Sequence, residues 1–180
     1  GDCFMQFPFF KFSGKQKSTL LSDLKNIIKS CFKLDIGLIV FPLVDNSSIE
    51  NSNQKSILIS ELIKLEEYIE QHNVKIIFES DLEPNKLRKF INNFPSKNFG
   101  INYDIGNSAS LGFEYREELN AYGERILNVH VKDRLLNGET VPLGLGNAKI
   151  PEVIKALHKI NYNGNYILQT ARSKNENHVG

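Results

Sequence analysis

The chain has 180 residues, 22 Lys and Arg against 21 Asp and Glu, a formal net charge of +1 and 41% hydrophobic residues. These proportions belong to one globular domain with a core of its own and exclude a disordered or fibrous chain. They leave no overall basic footprint for nucleic acid and no polybasic membrane anchor, and no apolar run, that at 36–44 included, is long enough to span a bilayer. Two cysteines, Cys3 and Cys31, make no disulfide framework, and nothing at the start reads as a signal peptide. A cytoplasmic protein with reduced thiols is the expectation.

In chain order, an apolar run at 3–10 reads as the first strand. Leu20, Leu21, Leu24, Ile27, Ile28 and Cys31 then recur at helical spacing. A second strand is expected at 37–43, followed by a helix carrying Ile57, Leu58, Leu62, Ile63, Leu65 and Ile69. The third strand, 74–78, leads into a shorter helix with Pro84 near its first turn and Leu87, Phe90, Ile91 and Phe94 inward. After a strand at 100–103 comes a weaker helical pattern at 114–122. A strand at 126–131, a helix from Pro151 and a turn at Asn163-Gly164 lead to the last strand, 166–168. Strands of this length, alternating with helices and apolar without interruption, predict an α/β domain with a parallel sheet covered on both faces. Periodicity does not say whether the sheet is open or closed.

In parallel α/β folds ligands gather at the carboxyl ends of the strands. Three successive runs end on Glu79, on Asp104 and on His130, and the last delivers Gln169. Two carboxylates and an imidazole without a thiolate suit a Mn, Mg, Co or Zn ion, with the Gln169 amide oxygen as a fourth ligand. Taken singly, each of these residues serves equally well as a strand-end cap. Asn107, Lys132, Asp133, Arg134 and Arg172 follow the same strand ends. An arginine there can pair with a phosphate or with hydroxyls, while Gly144-Leu145-Gly146-Asn147 reads first as a plain loop and N-cap and second as backbone amides for a phosphate.

Phe78-Glu79, Tyr103-Asp104-Ile105-Gly106-Asn107 and Val129-His130-Val131-Lys132-Asp133-Arg134, each closing a strand in this order, resemble the sugar-phosphate isomerase/epimerase family of the xylose-isomerase-like TIM-barrel superfamily. The resemblance runs over 4–172. It implies a (β/α)8 barrel whose fifth to eighth strands hold a divalent metal through Glu79, Asp104, His130 and the fourth position. There Gln169 departs from the usual carboxylate. On this mapping 1–180 is a single partial barrel, about strands three to eight, truncated at both ends. The run at 3–10 is then an exposed edge that favours a homo-oligomer.

The resemblance further implies an isomerase or epimerase acting on a sugar or sugar phosphate through an enediolate. Glu79 and Asp133 are its catalytic residues, and Asn107, Lys132, Arg134 and Arg172 contact the substrate. An amide cannot serve as an acid or base near neutral pH, so Gln169 favours isomerisation by one carboxylate over epimerisation by two. The alternatives are an inosose-dehydratase-like lyase and a barrel that binds sugar or metal without turnover. A phosphodiesterase for abasic DNA is disfavoured, because His130 is the one histidine at a strand end.

Overall fold

A computed structural model of the chain describes residues 7–171. Five strands form one sheet in the order β1 (Leu38–Leu43), β2 (Lys75–Ser80), β3 (Phe99–Asp104), β4 (Ile126–Val131) and β7 (Asn165–Leu168). The pairs β1–β2, β2–β3 and β4–β7 are parallel. Each strand lies next to its successor, with helices in every crossover. This single winding without reversal is the strand order of a barrel wall and differs from a doubly wound sheet, which reverses at a switch point. Among the described residues no helix is long and apolar enough to cross a membrane.

The described residues divide into two compact units, 7–80 with 89–101 and 81–88 with 102–171. In the first, α1 (Gly14–Lys33), α2 (Ser52–Lys64) and α3 (Glu66–Gln71) bury Leu24 and Ile28, Leu58 and Leu62, and Ile69. The four-residue spacing of the first two pairs is the helical stripe the sequence predicts. The single helix expected through Ile69 is instead two, joined at Leu65. Phenylalanines make the centre of this unit. Phe78 has ring centroids at 6.0 Å to Phe41, 5.0 Å to Phe90 and 5.3 Å to Phe94. Phe9 meets Phe41 from a short 3-10 turn, Phe9–Lys11. The run expected as a strand at 3–10 is therefore not a strand over its described part, and 3–6 lies outside the described residues.

The helix α4 (Pro84–Ile91) belongs partly to each unit. The second unit holds α5 (Ile105–Ser110), α6 (Tyr115–Tyr122) and α7 (Ile150–Lys159), with an antiparallel pair β5 (Asp133–Arg134) and β6 (Thr140–Val141). Neither α5 nor this pair was anticipated, being too short for a periodic signal. The helix α6 is anchored by a buried acid. Glu118 accepts hydrogen bonds from the hydroxyls of Tyr103 at 2.9 Å, Ser108 at 2.7 Å and Tyr122 at 2.7 Å. Burial pushes its carboxyl above the ordinary value of 4.5, against the pull of those donors, and pushes both tyrosines well up.

Asp133 is fully buried, and its carboxylate accepts three backbone N–H groups, from Gly144 at 2.8 Å, Gly146 at 2.9 Å and Ala148 at 3.0 Å. Gly144 has φ +88°, which favours glycine, and a Cβ on Gly146 would strike the Asp133 carboxylate. The loop's amides thus hold an anion of the protein's own. Of the two readings of Gly144-Leu145-Gly146-Asn147, this speaks against the phosphate one.

Two outcomes follow from these anchors. A group whose folded-state pKa is raised contributes stability that is complete below its unfolded value and is lost as pH rises through the folded one. Urea unfolding of wild type should therefore weaken as pH climbs from about 4 towards neutral, and Glu118→Gln should flatten that decline. Asp133→Ala removes the acceptor of three amides. Amide exchange at Gly144, Gly146 and Ala148 should accelerate by about tenfold or more while β1 and β2 stay protected, as hydrogen-exchange NMR would read.

Candidate metal centre

Side chains alternate across a strand, so Asn102 and Asp104 share one face of β3 while Tyr103 turns to Glu118 on the other. Asn128 and His130 likewise share a face of β4. All four are buried. Asn128 Nδ2 donates to Asn102 Oδ1 at 2.6 Å, and Asn102 Nδ2 lies 3.1 Å from His130 Nδ1. A buried row of amides thus leads to the imidazole and orients it.

Asp104 uses its two oxygens differently. Oδ1 accepts the backbone N–H of Asn107 at 2.8 Å and so caps α5. Oδ2 is buried and has no hydrogen-bond partner. Lys132 Nζ lies 3.7 Å from it and His130 Nδ1 3.8 Å. Both lie beyond hydrogen-bond range. Glu79 stands half-buried near the end of β2, in the first unit. Of the three strand-end residues read from the sequence, Asp104 and His130 stand together in the second unit. The donor set suits a divalent cation, and the orphaned oxygen is what such an ion would satisfy, so the residues fit one.

The remaining predicted residues fall into separate groups. Gln169 donates its backbone N–H to Val131 O at 3.0 Å. With His130 opposite Ile167, this register puts Gln169 on the face of His130. Asn107 Oδ1 accepts from Lys132 Nζ at 3.3 Å and from Arg134 Nη1 at 3.0 Å, so these three converge. Arg134 also donates to Gly138 O through Nε at 3.2 Å and Nη2 at 2.7 Å, which spends most of its fork on the loop behind it. Asp133, expected as a second acid–base group, has both oxygens engaged by the loop amides. Arg172 lies outside the described residues.

Gly106 explains part of the motif. A Cβ there would sit 2.8 Å from Lys132 Cγ and 3.0 Å from its backbone carbon, so glycine lets α5 start flush against the Lys132 stem. Sequence reasoning missed Asn102, Asn128 and Glu118. The first two were legible as polar residues two places before Asp104 and His130, a period-2 pattern inside strands taken as wholly apolar.

The family model for the xylose isomerase-like TIM barrel matches residues 3–179. An uncharacterized protein of Methanocaldococcus jannaschii is 29% identical over 160 residues, covering 78% of this chain and 53% of its own length. An Escherichia coli K12 protein that carries the name of an L-ribulose-5-phosphate 3-epimerase is 30% identical over 91 residues, covering 47% of this chain and 32% of its own. The matches thus span about half and one third of these relatives. In fold, the chain is similar to the IolI protein, whose crystal structure holds a zinc atom, with a TM-score of 0.78 and 19% identity over 93% of this chain and 66% of that one. Structures of sugar 3-epimerases and of a related protein match with comparable scores. With a model match over nearly its whole length and the single-wound parallel sheet described above, the chain belongs to the xylose isomerase-like TIM barrel family, which includes sugar isomerases and epimerases.

Proposed function

We propose that this protein is a divalent-metal-dependent isomerase of a sugar or sugar phosphate. Glu79, Asp104 and His130 hold the ion, and Gln169 offers a fourth donor. The observation that carries this reading is the buried Asp104 Oδ2, which has no hydrogen-bond donor and lies 3.8 Å from the His130 imidazole. Leaving a carboxylate oxygen buried and unmatched is costly, and a cation removes the cost. When bound, the ion supplies Lewis-acid polarisation that acidifies the carbon beside a carbonyl.

The chain's own residues do the rest. Glu79, half-buried near the end of its strand, takes the proton from one carbon and returns it to the next on the same face. Asp133 is tied to three backbone amides, which removes it as a partner on the opposite face and supports isomerisation over epimerisation. Lys132 and Asn107 line the ligand side and meet its oxygens, while Arg134 braces Asn107.

The test is incubation of the Mn²⁺-, Co²⁺-, Mg²⁺- or Zn²⁺-loaded protein with ketoses and ketose phosphates in deuterated water. Aldose product carrying solvent deuterium at the carbon that receives the proton is expected. Glu79→Gln should lower the rate by about 10²–10⁴-fold while the metal-free protein keeps its fold. Inversion at one carbon would replace isomerisation by epimerisation. Loss of water from a cyclic polyol would mean a lyase, and no exchange with any of them would sink the enzymatic reading.

A further inference from the structure

Lys132 has an environment that a substrate contact alone does not require. Its ammonium lies 3.7 Å from Asp104 Oδ2, the one buried side-chain polar atom without a hydrogen-bond donor among the described residues, and its side chain is 20% exposed. The placement is built in. Gly106 packs against Cγ, Cβ and the backbone carbon of Lys132, and Asn107 Oδ1 receives its ammonium at 3.3 Å. The other cation nearby, Arg134, is turned to Gly138 O and Asn107. Asp104 Oδ2 is therefore faced by an ammonium near it and not by a hydrogen bond to it, while Oδ1 keeps the Asn107 amide.

We propose that Lys132 is a placeholder cation: it compensates Asp104 while the metal site is empty and competes electrostatically with the divalent ion that replaces it. This rests on the metal reading above. The physical reason is the short range on which the two charges compete for one carboxylate oxygen. An ammonium within 4 Å of a ligand oxygen lowers the potential that draws a divalent ion to it. Lys132 thus sets metal affinity downward, which gives the role a distinctive sign. Substitutions that merely loosen a site weaken binding, whereas removing a competing charge tightens it.

The experiment compares wild type, Lys132→Met and Lys132→Arg, each stripped of metal and titrated with Mn²⁺ by calorimetry, with urea unfolding of the same metal-free samples. Lys132→Met should be less stable than wild type without metal, yet bind Mn²⁺ about tenfold more tightly. Lys132→Arg, which keeps the charge, should bind within about twofold of wild type. In an Asp104→Asn background the Lys132→Met change should cost no stability, because the charge it compensates is gone. Equal or weaker Mn²⁺ binding by Lys132→Met, with wild type binding normally, overturns the placeholder role alone. Failure of wild type and both variants to bind Mn²⁺ overturns the metal reading and the role together.

Discussion

Asp104 ends a buried strand and starts a helix, and these positions make opposite demands on one carboxylate. A helix start needs an acceptor for its unsatisfied amides, which Oδ1 provides to Asn107. A strand end facing His130 needs nothing of the kind, and Oδ2 there is left without a donor. Burying a charged oxygen in this way is tolerated only where something else compensates it. Much of the second unit is arranged around that need. Gly106 brings the Lys132 stem close, Asn107 holds the ammonium, and the amides of Asn102 and Asn128 fix the imidazole on the same side.

The two faces of β3 show how one strand serves two chemistries. On one face Asn102 and Asp104 join the candidate centre. On the other, Tyr103 reaches Glu118, which also gathers Ser108 and Tyr122. That second hub is a carboxylate satisfied by neutral hydroxyls, and its raised pKa follows from burial that those donors only partly offset. Asp104 has fewer donors and cationic neighbours. Two buried acids, one residue apart in their strand contacts, are thus stabilised by different means and suit different tasks.

Much of this was legible in the residues. Five of six strands follow from short apolar runs, and Glu79, Asp104 and His130 follow from their positions at strand ends, because strand ends in parallel sheets point to one side. The first run was not legible in the same way. Its described end is rich in phenylalanine, and Phe9 meets Phe41 from a 3-10 turn, an outcome that composition does not separate from a strand. Asp133 was misjudged because its partners are backbone amides 11 to 15 residues further on. Backbone groups carry no sequence signature, and only the two glycines hinted at them. Lys132 and Asn107 were legible as a polar cluster, but their convergence depends on Gly106, whose role is the absence of a side chain.

The Asp133 clamp also bears on how the loop behind β6 acquires its order. Its three bonds close segments of 11, 13 and 15 residues. Closing a flexible segment of that length costs about 2 kcal/mol in chain entropy, a cost that grows only slowly with further residues. A hydrogen bond to a charged acceptor returns about 1.5–3 kcal/mol, so the three together offset the closure cost. The segment is thus held by contacts near in the chain and not by long-range strand pairings.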